Sequence, residues 1–159
     1  MRYNPLISKK EFDAEDLLTV ADDSFMKYDF EGCYLAATKP HRKGHVNYRA
    51  LLSILKDLSR ANISKEKATH ERYVLMALRK VEKFHQRGHI TDIDMRRLRT
   101  RSFGLARAEG ARNYGEPSPT LSAEYDYLDM KYWDAKHRDD VDRVIVQRRE
   151  NRGDVREDL

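Results

Sequence analysis

This sequence of 159 residues contains one cysteine, seven glycines and four prolines, and it has no long apolar run. A single cysteine, Cys33, excludes an internal disulfide and a zinc site built from several cysteines. No stretch approaches the roughly 18 consecutive apolar residues of a membrane span, and the first residues show no apolar signal region. These absences predict an intracellular protein with no membrane span and no disulfide-linked partner, in the cytoplasm, an organelle matrix or a virion.

The composition is typical of a small helical domain with a thin core. Hydrophobic residues make up 40% of the chain and charged residues 36%, whereas an average domain has about 25% charged residues. A chain of this length organises one core. Apolar residues recur at intervals of three and four, and turn-forming residues are scarce, so we predict an all-α fold.

Five helices are predicted from the apolar spacing and from helix start signals. Ser8, with Glu11 three residues later, is expected to cap a first helix that ends near Met26. Four more helices are predicted over residues 30–38, from Asn47 to about Arg60, from a cap at Ser64 to Phe84, and from Thr91 or Asp92 to about Ala108.

Charge is divided unevenly along the chain. Residues 1–38 carry a net charge of −4, residues 39–112 carry +12, and residues 113–159 carry −4. A basic centre between acidic ends predicts a polyanionic partner, with nucleic acid as the first candidate, or acidic flanks folded over the basic middle. The alternative is that the cations form solvated helix faces beside acidic neighbours one turn away.

An internal repeat lies in the basic centre, at an offset of 44 residues. The stretch His-Arg-Lys-Gly-His-Val-Asn at 41–47 matches His-Gln-Arg-Gly-His-Ile-Thr at 85–91. Polar turn residues match as well as apolar ones, so a shared helical period does not explain the correspondence. Each copy predicts a helix, a turn and a helix, with Gly44 and Gly88 giving the turn its backbone freedom.

The residues after each glycine predict how the two units begin their second helices and how they pair. Asn47 and Thr91 are expected to accept hydrogen bonds from the first amide groups of the following helix. Val46 and Ile90 are expected to join the two loops as a short two-stranded bridge. Two units side by side would then bury their apolar stripes against each other.

This pattern of turn glycine, β-branched residue and helix start resembles the second half of an EF-hand, over about residues 30–100. The resemblance implies paired helix-loop-helix units, which commonly grip an amphipathic helix of a partner. Calcium requires carboxylate ligands, whereas this chain mostly places cations before the glycines. We therefore expect a degenerate, metal-free pair without a cofactor. The residues concerned are Lys39, His41, Arg42, Lys43, Lys83, His85, Gln86 and Arg87.

A second resemblance covers residues 73–114. With Met95-Arg96-Arg97-Leu98, and with Ala106-Arg107 followed by a glycine and a tyrosine, this stretch is similar to the helical core of a large-subunit ribosomal protein of the twentieth family, found in bacteria and organelles. The resemblance implies a protein without enzymatic activity that lies on ribosomal RNA. Members of that family are richer in arginine and lysine and begin with a basic arm, whereas this chain begins with an acidic segment.

The cations of the basic centre are the candidate contacts for RNA or an acidic protein surface. A guanidinium group binds two phosphate oxygens at once, and helical spacing predicts that Arg96, Arg99 and Arg107 share a sector. The alternative is that these side chains cap neighbouring carbonyls or meet the acidic tail. The candidate contacts are Arg42, Lys43, Arg87, Arg96, Arg97, Arg99, Arg101, Arg107 and Arg112.

Three patterns that resemble reactive sites are interpreted as structural. The pairs His41/His45 and His85/His89 have the spacing of a zinc site on a helix, but each pair straddles a glycine turn, so no metal is predicted. Cys33 lies in an apolar stripe and is expected to pack in the core instead of acting as a nucleophile. The acidic residues of the first helix predict a solvated or partner-facing surface.

The C-terminal part is expected to differ from the body. Residues 110–120 predict a linker, and residues 147–159 are nearly all charged and are expected to be disordered alone or extended along a partner. Between them lies an aromatic cluster that is expected to anchor the tail on its own body or on a neighbouring subunit. This cluster includes Tyr125, Tyr127, Tyr132 and Trp133.

Together these observations predict an acidic N-terminal helix over 1–29, a body of two helix-loop-helix repeats over 30–109, and a linker with an extended tail over 110–159. The chain shows no catalytic constellation and no cofactor motif. We therefore expect a non-enzymatic structural or adaptor subunit of a large assembly whose basic centre contacts RNA or an acidic protein surface. The alternative functions are a calcium-free, EF-hand-like adaptor that grips a partner's helix, and an enzyme that uses Cys33 with a histidine.

Overall fold

A computed structural model describes residues 12–42, 44–131 and 145–151 of the protein. This part of the chain is mostly helical, and its isolated β-bridge joins Phe12 to His41. The prediction of an all-α fold is therefore confirmed. The helices are α1 (Ala14–Met26), α2 (Phe30–Thr38), α3 (Val46–Ile63), α4 (Lys67–Gln86), α5 (Asp92–Thr100), α6 (Ser102–Tyr114) and α7 (Pro119–Lys131), and residues 145–151 are also helical.

Helix α3 lies at the centre of the molecule. It packs against α1, α2, α4 and α6, and α7 packs against α4. Its apolar residues Leu52, Ile54 and Leu58 are at most 1% exposed. One core therefore continues from α1 to α7, and Leu121, Tyr125 and Leu128 of α7 belong to it.

The turn between α1 and α2 follows from two local features. Tyr28 adopts a left-handed backbone conformation with φ of 68°, which reverses the chain direction after α1. The Asp29 carboxylate then accepts a 3.0 Å hydrogen bond from the Gly32 amide, which caps α2. Phe25 and Phe30 pack edge to face across this turn with ring centroids 5.3 Å apart, so the two helices form a tight hairpin.

The expected single helix from residue 91 to residue 108 is wrong, because the chain breaks at Arg101. Helix α5 begins as expected at Thr91, which forms a capping box with Asp94. Arg101, with φ of −97° and ψ of −76°, forms a turn between the two helices, and α6 begins at Ser102. The buried residues Leu98 and Phe103 flank the break, so each short helix turns its own apolar side towards the core.

Several helix ends also differ from the prediction. Ser64 does not cap α4: it ends α3, and its hydroxyl accepts a hydrogen bond from the Glu66 amide. Helix α1 begins after Asp13, and the predicted cap at Ser8 lies outside the described residues. Gly88 has the positive φ of 76° expected at the turn, whereas Gly44 is not in the left-handed region.

Buried polar groups connect α4 to its neighbours. The His70 ring, 3% exposed, shares a hydrogen bond of 2.8 Å between Nδ1 and the Ala61 carbonyl of α3. Its Nε2 lies so close to Gly110 of α6 that a Cβ added there would be 2.6 Å away. Lys80 Nζ lies 2.8 Å from the buried carboxylate of Asp57, which adds an ion pair between α3 and α4.

The predicted linker and extended tail are corrected by the C-terminal helices. Helix α6 continues to Tyr114 and α7 begins at Pro119, so only residues 115–118 connect them. Helix α7 and residues 145–151 are helical where an extended tail was expected. None of the helices in the described part of the chain is long and apolar enough to cross a membrane.

Candidate nucleic-acid interface

The loops of the two repeat units lie side by side. The Asn47 side-chain amide donates hydrogen bonds to the His89 carbonyl at 3.2 Å and to the Asp94 carboxylate at 2.7 Å. Asn47 belongs to the first turn of α3, whereas His89 and Asp94 belong to the loop between α4 and α5 and to α5 itself. One side chain of the first unit therefore connects it to the turn and capping box of the second.

This contact is different from the expected one. Val46 is the first residue of α3 and is 45% exposed, whereas Ile90 is 2% exposed. In the part of the chain that the structure describes, no bridge joins them. Asn47 does not cap α3 either, because the extended residue before the helix is His45. The two loops are joined by a side chain instead of by backbone pairing.

The joined loops carry cations and no carboxylate. Residues 39–49 and 83–91 together contain six lysine and arginine residues and four histidines, and neither stretch contains an aspartate or a glutamate. We call these two stretches the basic loop edge. Because Asn47 links the stretches, their positive charges add at one end of the helical body, and Lys43 of the first stretch lies outside the described residues.

The predicted arginine run, by contrast, is largely engaged within the protein. Arg107 contacts Asp129 at 3.1 Å and Asp126 at 3.9 Å, and Arg99 contacts Asp129 at 3.9 Å. Arg101 pairs with Asp22 of α1 at 2.9 Å. Acidic residues of α7 and α1 therefore contact these arginines. This arrangement agrees with the alternative interpretation, in which the arginines meet the acidic flanks of the chain.

Two more predicted contacts are also paired. Arg112 forms an ion pair with Glu109 one turn earlier in α6. Arg42 lies 3.8 Å from Asp13, and its amide donates to the Phe12 carbonyl at 2.8 Å, next to the β-bridge. The expected sector of Arg96, Arg99 and Arg107 is not formed as one helix face, because the break at Arg101 separates Arg107 from the other two.

Besides Lys39, which lies over the Phe12 ring, five exposed cations of the loop edge and α5 have no ion pair with another described residue. Arg49 lies in the first turn of α3, which has no acidic residue. The carboxylates of α5 are engaged elsewhere: Asp92 with His85 at 2.6 Å, and Asp94 in the capping box and with Asn47. The side chains of these five cations are exposed to solvent. They are Arg49, Lys83, Arg87, Arg96 and Arg97.

Helix α1 borders the basic loop edge on its acidic side. Tyr48 donates a 3.2 Å hydrogen bond to the Glu15 carboxylate. The negative charge of Glu15 and this hydrogen bond raise the pKa of Tyr48. Lys39 Nζ lies 5.5 Å from the ring centre of Phe12 at the start of α1. The acidic helix therefore holds the first loop from one side and leaves Arg49 exposed.

The structure describes the histidine pairs and Cys33, the residues of the reactive patterns in the sequence. No group of three or more histidine, cysteine or acidic side chains is arranged to hold a metal ion within the described residues. Cys33 is fully buried between α2 and α3, and burial raises the pKa of its thiol to about 12. The thiol is therefore protonated at neutral pH and inaccessible, as expected of a core residue.

The aromatic cluster is divided between core and surface. Tyr125 is 3% exposed, its hydroxyl has no partner among the described residues, and burial raises its pKa. Arg107 lies over its ring, 4.9 Å from the centroid. Tyr127 contacts Lys131 and Arg148 through its ring face. Tyr132 and Trp133, the other two expected anchors, lie outside the described residues.

A groove of about 390 Å³ lies between α1, α3, α5 and α6. Its apolar wall comes from residues that share no sequence motif, and its rim carries the Arg101–Asp22 ion pair together with Arg97 and Asp94. Sequence reasoning missed this groove, and it also missed Arg49 and Lys83 as exposed cations. The repeat alignment offered a signal for Arg49, which lies two residues after the repeated segment. The apolar wall consists of Leu18, Met26, Leu51, Leu55 and Leu98.

Comparison with known proteins adds no relative to this description. No family model, no curated protein and no solved structure matches the chain.

Proposed function

We propose that this protein is a non-enzymatic structural or adaptor subunit of a larger assembly, and that its basic loop edge contacts RNA. The observation that carries the proposal is the contact of Asn47 with His89 and Asp94, which places two acid-free loops next to each other. Arg49 of α3 and Arg87, the residue after α4, are both exposed, and they belong to the two stretches that Asn47 joins.

RNA is favoured as the ligand because Arg49 and Arg87 of the edge are exposed guanidinium groups that form no ion pair with another described residue. Each guanidinium group can bind two phosphate oxygens at once. Arg96 and Arg97 add two more guanidinium groups on α5. An acidic protein surface is negatively charged like RNA, and it is the second kind of ligand that the proposal includes. The four histidine side chains in the loops add hydrogen-bonding groups for phosphate or for base edges.

A salt titration of RNA binding tests the proposal. Binding through phosphate contacts releases counterions, so log K falls linearly as log salt rises, by about 0.7 for each phosphate contacted on a single strand. We expect a clear negative slope for a single-stranded homopolymer. Binding that does not respond to salt, or no binding at low salt, would rule out RNA as the ligand.

A second function, an adaptor that grips a helix of a partner protein, is favoured by the groove between α1, α3, α5 and α6. Its apolar wall and its rim of charged side chains have the character of a site for an amphipathic helix. Affinity capture from the native source with and without nuclease separates the two functions. An adaptor keeps its partner after nuclease treatment, and Leu51→Glu in the groove then removes the partner, whereas an RNA-linked complex is lost with nuclease.

A further inference from the structure

The side chain of Arg148 is enclosed by residues of two helices. Its Nη2 contacts the Glu82 carboxylate of α4 and its Nε contacts the Glu124 carboxylate of α7, both in ion pairs with hydrogen bonds. The face of the guanidinium lies over the Tyr127 ring, 4.3 Å from its centre. Only 14% of the Arg148 side chain is exposed. The body of the protein thus surrounds one guanidinium group on three sides.

The geometry of this enclosure is specific for a guanidinium group. Two carboxylates from different helices accept from two different nitrogens, and the aromatic face contacts the planar group between them. An ammonium ion has its charge on one nitrogen, and it cannot span both carboxylates and stack at the same time. Planar shape, two donor directions and a stacking face together select arginine over lysine.

Removal of Arg148 also costs free energy, because it takes one partner from each of the two carboxylates. Glu124 is 2% exposed, so the removal of Arg148 takes a charge-assisted partner from a carboxylate that water barely reaches. A buried carboxylate demands a positive or hydrogen-bonding partner. The vacated enclosure then presents two carboxylates and an aromatic ring, which are the groups that a guanidinium group contacts.

The group that fills the enclosure comes from a segment that is separate in sequence from both helices. Residues 145–151 follow α7 after a stretch of thirteen residues, 132–144. Besides Arg148, Asn151 attaches the segment to the body through a 3.3 Å hydrogen bond to the Pro119 carbonyl. Val146 is 53% exposed, so the segment has little apolar burial at this position. Its attachment therefore depends on the polar contacts of Arg148 together with the half-buried Ile145.

We propose that Glu82, Glu124 and Tyr127 form an arginine-binding site that holds the C-terminal segment through Arg148 and that binds a guanidinium group of another molecule once Arg148 is removed. The ligand class is an alkylguanidinium, as a free compound or as an arginine side chain of a peptide. This site uses none of the residues of the basic loop edge. The test of this site and the test of the RNA proposal can therefore fail independently.

Chemical rescue of the full-length Arg148→Ala variant tests the site. We expect the amides of residues 145–151 to lose about tenfold or more of their protection against hydrogen exchange, because charge-assisted hydrogen bonds are removed. We also expect low millimolar ethylguanidinium to raise the melting temperature of this variant, whereas ethylammonium at the same ionic strength does not. Lys65→Ala, which removes one positive charge from the exposed loop between α3 and α4, is the control and is expected to keep the protection.

Two further variants decide the result. Arg148→Lys keeps the charge but cannot span both carboxylates, so it is expected to lose most of the protection, and wild-type protection in this variant would overturn the proposal. Glu124→Gln in the Arg148→Ala background is expected to abolish the response to ethylguanidinium. An equal response to both cations, or a response that persists without the Glu124 charge, would also overturn it.

Discussion

The side-chain amide of Asn47 donates to the backbone carbonyl of His89, 42 residues later in the sequence, and this hydrogen bond joins the loops of the two repeat units. The same amide contacts Asp94, which also caps α5. The position of one loop is therefore coupled to the start of a helix in the other unit.

Asn47→Ala is expected to destabilise the protein by about 1–3 kcal/mol, because it removes two hydrogen bonds, one of them to a charged carboxylate. Urea unfolding measures the change. Asn113→Ala on the exposed side of α6 is the matched control and is expected to change stability by less than about 0.5 kcal/mol. Equal midpoints for the two variants would show that the contact between the loops does not stabilise the fold.

Gly110→Ala and Gly104→Ala are expected to have opposite effects, although both lie in α6. A Cβ at position 110 would be 2.6 Å from Nε2 of the buried His70, whereas at position 104 the nearest atom is 3.5 Å away. We expect Gly110→Ala to cost about 1–3 kcal/mol by overpacking. Gly104→Ala should stabilise by up to about 1 kcal/mol through helix propensity. Thermal unfolding of both variants checks the difference, and stabilisation by Gly110→Ala would contradict the packing of His70.

The ion pair between Lys80 and Asp57 gives a third prediction. Lys80→Met leaves a carboxylate that is 3% exposed without this cation, and we expect a loss of about 3 kcal/mol. Asp57→Leu together with Lys80→Met removes both charges and should recover much of that loss. Urea unfolding of the single and double variants measures the coupling between the two residues. A double variant that is less stable by the full sum of both single losses would contradict it.

The raised pKa of Cys33 predicts a pH dependence of stability. The unfolded chain releases the thiol proton near pH 9, whereas the folded protein retains it to about pH 12. The unfolded state therefore binds fewer protons across this window, and the contribution of Cys33 to the free energy of unfolding falls as the pH rises from 9 to 12. Comparison of wild type with Cys33→Ala across this range isolates the effect. A contribution that is constant over this range would contradict the burial of the thiol.

Reactivity of the same thiol tests the enzyme alternative. A thiol-specific disulfide reagent at pH 8 should label Cys33 only after unfolding, because the sulfur is fully buried and protonated. Rapid stoichiometric labelling of the folded protein would contradict this and would favour a nucleophilic role for Cys33.

The periodicity of the sequence predicted the helices themselves well. The spacing of Leu52, Leu55 and Leu58 indicated the buried face of α3, and Thr91 indicated the start of α5. These features are local, so a single sequence records them. The break at Arg101 was missed because no glycine or proline stands there; it follows from the packing of Leu98 and Phe103 on the core.

The candidate site was predicted only in part, because charge along a sequence does not tell which cations are paired in space. Arg99 and Arg107 were expected to share a phosphate-binding sector with Arg96, yet Asp129, more than 20 residues later, forms ion pairs with both. Arg49 was missed although it is exposed and has no ion pair among the described residues. The repeat predicted that the two loops belong together, but the contact that joins them depends on one amide whose partners are distant in sequence.

The central claim is that the joined loops, and not the ion-paired arginines of α5 and α6, contact the polyanion. Its most direct test is the salt dependence of RNA affinity for Arg49→Ala/Arg87→Ala beside the matched control Arg101→Ala/Arg112→Ala, whose arginines are held by Asp22 and Glu109. The account predicts that the negative slope of log K against log salt becomes shallower by roughly 1.4 for the loop variant and stays unchanged for the control. A slope that becomes shallower for the control and not for the loop variant would contradict it.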